Sequence, residues 1–295
     1  MRVAGTIKVW ASALRVHQWL KNVLIFLPVL TAHRLNDSHA MTQATIAFIS
    51  MACCASAVYL INDLLDRKSD QLHSRKRLRP LAANVIPVRS ALAAVALLSI
   101  LSLAFGVMLP GEFLLNLGLY FTLTTLYSII LKRIVLLDVL LLAVFYTMRI
   151  TAGATATSIE PSFWLLAFSL FLFFSLALMK RYAELKLLLD SEQPLPLRRG
   201  YRSEDLDTLS GFGTGTACMS VLVLALYIDS EAVLMLYSRP VILWLLCPLL
   251  LLMLTRLWLL ARRGELHEDP VVFAMLDRTG QFYALLGALL LWFAV

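Results

Sequence analysis

Uninterrupted apolar runs decide what this chain can become. Residues 43–61 and 113–131 contain no Asp, Glu, Lys or Arg. A helix of about 20 such residues matches the ~30 Å hydrocarbon core of a bilayer. Only 15% of the chain is charged and 60% is hydrophobic, where a soluble domain would carry about a quarter charged residues. Length alone would suit one or two soluble domains. The apolar residues come in blocks rather than amphipathic stripes, so an all-α, polytopic membrane bundle is expected instead.

Nine stretches qualify as spans: 18–35, 43–61, 88–109, 113–131, 135–156, 161–180, 209–228, 240–261 and 279–295. Charge alternates between the loops that join them. The N-terminus through Lys21, 62–87, Arg89, 132–134, 180–208 and the region from Arg256 onward hold 23 of the 26 Lys and Arg residues. The opposite set holds Arg34 and Arg239, and Arg149 lies inside a span. The positive-inside rule puts the first set in the cytoplasm. The N-terminus is then inside and the C-terminus outside, in an inner (cytoplasmic) membrane. The net charge of +7 falls on one membrane face, where anionic headgroups meet it. No nucleic-acid partner is expected. No linker divides residues 1–295, which read as one catalytic domain with cytoplasmic loops near 62–87, 132–134, 180–208 and 262–278. Self-association stays open.

Smaller features are bland. Residues 2–16 suit a short interfacial helix or a frayed tail and do not read as a cleaved signal peptide. Cys53, Cys54, Cys218 and Cys247 lie in apolar blocks, without metal-ligand spacing, and read as small hydrophobes. The five histidines show no metal-ligand spacing.

The loop that opens at residue 59 carries chemistry. Asn62, Asp66 and Asp70 follow at i, i+4 and i+8, sharing one helix face over about 12 Å, with Tyr59 joining it. Carboxylates at that spacing repel, and a divalent cation between them removes the penalty. Hard oxygen ligands, few in number, suit Mg²⁺, which keeps its other positions for water and phosphate. A basic run, Arg75, Lys76, Arg77 and Arg79, follows directly. Acid then base is what a metal-bridged diphosphate needs. A solvated loop of mixed charge is the alternative.

Asn62-Asp63-x-x-Asp66-x-x-x-Asp70 resembles the first Asp-rich motif of the UbiA-type intramembrane prenyltransferase superfamily. Arg15-x-x-Gln18-Trp19-x-Lys21-Asn22, Tyr127-Ser128-x-x-Leu131-Lys132-Arg133 and Arg149-x-x-x-Gly153 resemble other segments of that superfamily, so the likeness covers nearly the whole chain. It implies nine transmembrane helices and a Mg²⁺ cofactor. Aromatic prenyltransferases of the superfamily carry a second Asp-rich motif after the sixth helix. This chain has Lys180-Arg181-Tyr182-Ala183-Glu184-Leu185 there. That segment, with Glu268-Asp269-Pro270-Val271 and Asp277-Arg278, resembles the decaprenyl-phosphate phosphoribosyltransferase branch. The resemblance implies phosphoribosyl diphosphate as donor, a polyprenyl phosphate lipid as acceptor and diphosphate as leaving group. Three anionic groups then need binding, and cations in place of carboxylates fit that need.

The resemblance also implies roles. Asn62 and Asp66 are expected to hold Mg²⁺, with Asp70 a third ligand through water. Lys21, Tyr59, Lys76, Lys132 and Tyr127 are expected at the substrate. Tyr59 alone would also suit an interfacial aromatic, and Lys21 a snorkelling anchor. Arg149 lies ~20 Å along the fifth span, where an arginine costs at least ~2.5–3.5 kcal/mol. It should bind a phosphate or pair with an acid, Asp138 being an indirect partner through substrate. Lys180, with Glu184 one turn later, is expected at the acceptor phosphate, and Asp66, Arg149 and Lys180 are the catalytic candidates. Residues 186–208 read as a cytoplasmic lid. Two rivals remain: prenyl transfer from a prenyl diphosphate to a small acceptor, and a membrane transporter or lipid-binding scaffold.

Overall fold

The computed structural model describes residues 2–72, 76–190, 200–266 and 269–295. His73, Arg75, His267, Glu268 and residues 191–199 of the expected lid lie outside the described residues. All regular structure among the described residues is helical: α1 (Arg2–Ala13), a 3₁₀ run (Val16–Phe26), α2 (Leu27–Thr31), α3 (Ser38–Leu65), α4 (Arg67–Gln71), a 3₁₀ turn (Lys76–Leu78), α5 (Val88–Gly106), α6 (Gly111–Ile129), a 3₁₀ turn (Leu131–Arg133), α7 (Leu137–Thr157), α8 (Phe163–Asp190), α9 (Asp205–Ile228), α10 (Glu231–Leu236), a 3₁₀ turn (Pro240–Leu245), α11 (Leu246–Arg262), α12 (Pro270–Leu276) and α13 (Arg278–Ala294). The helices group into two compact units, Met1–Lys132 with Met148–Pro161, and Arg133–Thr147 with Ser162–Val295.

Among the described residues, six helices are long and apolar enough to cross a bilayer: Ser38–Gln71, Val88–Gly106, Leu137–Thr157, Phe163–Leu189, Asp205–Ile228 and Pro240–Arg262. Three of the nine expected spans look different, each for a physical reason. Residues 18–35 begin as a 3₁₀ run of 11 residues, which rises ~2.0 Å per residue and so extends about 22 Å. Residues 111–129 form a 19-residue helix diluted by Glu112, Asn116, Thr122, Thr124, Thr125 and Ser128. The last helix has only 17 residues.

In the first unit α3 is the inner element. Its middle, Met51–Val58, is built from Ala, Cys and Ser between Met51 and Val58, all buried. Small side chains let backbones approach, which is how helices associate where lipid offers no hydrophobic contrast. Against α5 the approach is fixed by a reciprocal pair: Ser50 Oγ donates to the Ser102 carbonyl at 2.8 Å, and Ser102 Oγ to the Ser50 carbonyl at 2.9 Å. The other face of α5 is bare: Leu92, Leu97, Ile100 and Leu103 are 55–65% exposed, as expected of a surface solvated by acyl chains. The second half of α1 is packed rather than frayed. Ala13 is buried with Leu60, Leu81 and Ile86, and Val9 and Trp10 pack on them.

The 3₁₀ run has a period of three, so Trp19, Asn22 and Ile25 share a face. Trp19 Nε1 donates to Ser56 Oγ at 2.9 Å, while Asn22 and Ile25 are 1% and 0% exposed. The second half of α7 lies along that face with matching steps of four. Arg149 meets Asn22, and Gly153 meets Ile25: a Cβ on Gly153 would stand 1.9 Å from the Ile25 carbonyl oxygen. Glycine there is a condition of the packing.

In the second unit α8 and α9 run side by side. Ser175 Oγ donates to the Gly213 carbonyl at 2.6 Å and accepts from Trp258 Nε1 of α11 at 3.2 Å. A small cluster of Ile228, Val233, Tyr237, Leu243 and Ala294 closes the far end of this unit.

Candidate active site

The acidic face predicted at residues 62–70 exists, and its members divide into two sets. Asn62 is one turn from the end of α3, and Asp66 is the residue at which α3 ends and α4 begins. Their side-chain oxygens converge on one cation: Lys132 Nζ donates to Asn62 Oδ1 at 3.2 Å and to Asp66 Oδ2 at 2.7 Å. Lys132 comes from the 3₁₀ turn after α6. The Asp66 side chain keeps 28% of its surface open and that of Lys132 keeps 16%, so the group is reachable. Asp63 and Asp70 are 4% and 2% exposed and face arginines. Arg79 Nη1 donates to Asp63 Oδ1 at 3.1 Å and to Asp70 Oδ2 at 2.7 Å, and Arg15 Nη2 donates to Asp63 Oδ1 at 2.6 Å. Buried carboxylates require such partners. Asp70 therefore stands with Arg79, apart from the Asn62–Asp66 pair.

These ion pairs fasten the basic segment to the end of α3. Arg67 Nη2 donates to Asn84 Oδ1 at 2.5 Å, and Gln71 Nε2 donates to the Ala82 carbonyl at 3.1 Å. Lys76 opens the 3₁₀ turn there and is half-buried. Tyr59 lies under Arg15, whose Cζ is 4.9 Å from the ring centroid. Tyr127 is half-buried, on α6. The oxygens of Asn62 and Asp66 fit a divalent ion. They are hard donors, they already face one positive charge, and they leave most of an octahedral shell for phosphate and water.

Deeper in the same unit, Arg149 is 4% exposed. Its Nε donates to Asn22 Oδ1 at 2.9 Å and its Nη2 to the Tyr120 hydroxyl at 2.8 Å. Both of these partners are neutral. Asn22 Nδ2 is a buried donor without an acceptor, and Lys21 beside it is 7% exposed. The result is a donor-rich cluster suited to an anion.

The second unit has its own cluster. Lys180 Nζ donates to Asp269 Oδ2 at 2.9 Å, and Tyr146 donates to Asp269 Oδ1 at 2.8 Å. Asp269 also caps α12 through the Val271 amide at 3.2 Å. Beside Lys180, Arg181 is 2% exposed and donates to the fully buried Asp138 at 2.7 Å. Its other end pairs with Glu184, which is 45% exposed. Tyr201 donates to Asp138 Oδ1 at 2.6 Å and accepts from the Leu136 amide at 3.0 Å. Burial, and the Asp138 carboxylate beside it, raise the pKa of the Tyr201 phenol and keep it a donor. Asp138 is thus engaged by Arg181 and Tyr201. Asp277 caps α13 and accepts from Arg256 Nη1 at 2.7 Å; that bond, with the Gly280 amide, holds its carboxyl below the usual range.

Tyr120, Tyr146 and Tyr201 were not expected in these clusters. A signal for Tyr120 existed: Asn116, Tyr120 and Thr124 form a polar stripe at spacing four in an apolar helix. Tyr146 and Tyr201 had none, since each meets its partner across 123 and 63 residues of sequence.

Comparison with known proteins agrees with this architecture. Residues 23–286 match the UbiA prenyltransferase family. The uncharacterized protein y4nM of Sinorhizobium fredii is 37% identical over 96% of this chain, which spans only 55% of that protein's length. Nodulation protein NoeC of Azorhizobium caulinodans is 32% identical over 91% of this chain and 87% of its own. Decaprenyl-phosphate phosphoribosyltransferase of Mycobacterium tuberculosis is 35% identical over 63% of this chain and 61% of its own. Among solved structures, a UbiA homolog from Archaeoglobus fulgidus bound to GPP and Mg²⁺ superposes with a TM-score of 0.70 at 17% identity, covering 97% of this chain and 98% of its own. With its apolar helices and this match over most of its length, the chain belongs to the UbiA prenyltransferase family and is an integral membrane protein.

Proposed function

We propose that this protein transfers the phosphoribosyl group of phosphoribosyl diphosphate to a polyprenyl phosphate, with Mg²⁺, releasing diphosphate. The observation that carries the reading is the convergence of Asn62 and Asp66 on a cation beside a basic segment. In support, the segment after the sixth expected span offers Lys180 and Arg181 where an aromatic prenyltransferase would offer carboxylates. The relative named decaprenyl-phosphate phosphoribosyltransferase points the same way.

Asn62 and Asp66 would hold Mg²⁺, with Asp70 a third ligand through water. The ion supplies Lewis-acid neutralisation of the leaving diphosphate. Lys132, Lys76 and Lys21 bind the remaining phosphate oxygens, with Tyr59 and Tyr127 as hydroxyl donors. Arg149 binds a phosphate by its guanidinium fork. Lys180, set by Asp269 and with Glu184 a turn away, binds the acceptor phosphate. That phosphate is ionised at neutral pH, so no general base is needed. Its oxygen forms the bond to ribose C1 as the C1–O bond to diphosphate breaks, and diphosphate leaves with the electron pair. Positioning and charge neutralisation then carry the rate. The reading includes nine crossings in one domain, N-terminus in the cytoplasm of an inner membrane, and leaves self-association to be measured.

The test supplies purified protein with radiolabelled phosphoribosyl diphosphate, Mg²⁺ and short polyprenyl phosphates. Label should enter the butanol phase, and should be lost in Asp66→Ala and Arg149→Ala while both variants still insert in membranes. Absence of extractable label, with turnover of a prenyl diphosphate instead, would overturn the reading.

A further inference from the structure

Lys132 stands where the proposed metal ligands point. Its ammonium is 2.7 Å from Asp66 Oδ2 and 3.2 Å from Asn62 Oδ1. A divalent ion held by those oxygens would compete with Nζ for them. Two cations cannot share that space without other anions between them. The geometry points to Lys132 as a built-in competitor of the metal: we propose that it holds Asn62 and Asp66 in the ligand-free protein and yields them only when an anionic substrate takes the ammonium. This inference rests on the metal reading above and adds a rule of order to it.

The surroundings fit an exchange. Asp63 and Asp70, the other carboxylates of the face, are engaged by Arg79, and Asp63 by Arg15 as well. Among the described residues, Lys132 is thus the cation paired with Asp66. It sits on a three-residue 3₁₀ turn rather than a long helix, and its flexible stem can swing without moving α3. Divalent cation alone gains the two oxygens but must displace an ammonium that then has no partner. Cation with diphosphate gains both, because the anion receives the displaced ammonium. The two ligands should bind with positive coupling, and coupling is reciprocal by linkage.

The experiment measures Mn²⁺ binding to the purified full chain in detergent, from the free-ion paramagnetic resonance signal, with and without inorganic diphosphate. The native protein should bind Mn²⁺ at least about tenfold more tightly with diphosphate present. Lys132→Met should bind Mn²⁺ alone at least about tenfold more tightly than native protein, and diphosphate should add little. Lys132→Arg, which keeps the charge, should behave like native protein and serves if the methionine variant does not fold. Lys132→Met with native or weaker Mn²⁺ affinity overturns the proposal, as does an arginine variant that gains affinity. If Mn²⁺ and diphosphate bind native protein and Asp66→Asn alike, the metal reading itself fails, and that outcome is separate from the others.

Discussion

A charged side chain in an apolar bundle is legible as a signal, yet its partner is not. Arg149 stood out as costly to bury, and it is buried, but its neighbours Asn22 and Tyr120 are set by how a 3₁₀ run and a helix pass each other. Asp138 shows the converse. It is fully buried and bonded to Arg181 and Tyr201, and no spacing rule connects residues 43 and 63 apart. Removing one member of a buried ion pair typically costs about 3–5 kcal/mol. Asp138→Ala should therefore lower the melting temperature in detergent by several degrees, and Asp138→Asn by less, since an amide oxygen still accepts from Tyr201. Unchanged melting in the alanine variant would sink this assignment. The division of the acidic face was also hidden. Asp63, Asp66 and Asp70 look alike in the sequence, and the arginines at 15 and 79 take two of them while Lys132 takes Asp66.

Elements were read well where apolar residues run in long blocks, as in α3, α5, α8, α9 and α11. They were read poorly where the backbone leaves the α-helix. A 3₁₀ run of 11 residues is uncommon, and apolar composition gives no hint of it. The clue is Gly153, which lets α7 approach Ile25. Gly153→Ala would force a methyl into that carbonyl and should destabilise by roughly 1–3 kcal/mol, the usual penalty of overpacking. Gly211→Ala is the control: a Cβ there meets nothing within 4 Å, and alanine favours the helix by up to about 1 kcal/mol. Thermal unfolding followed by tryptophan fluorescence should separate the two, and equal melting points would refute the close approach as a constraint.

For the whole molecule, membrane integration was legible from composition and loop charge, because the bilayer imposes one length and one polarity on every crossing. The crossing count was harder, since the first expected span begins as a 3₁₀ run, the fourth is diluted by polar residues and the last is short. The nine-crossing reading has a checkable consequence: a C-terminal alkaline phosphatase fusion should be active and a C-terminal fluorescent protein dark, with the opposite pattern for a reporter joined after residue 190. A bright C-terminal fluorescent protein would remove one crossing from the count. The outer side of α5 carries a consequence of another kind. Lipid tails distinguish little among Leu92, Leu97, Ile100 and Leu103 and any other oily residue, whereas Ala91, Ser102 and Gly106 answer to α3 and α6. Related chains should therefore drift freely along one edge of this helix while the opposite edge stays small, so that its ancestry is written mainly in its least bulky letters.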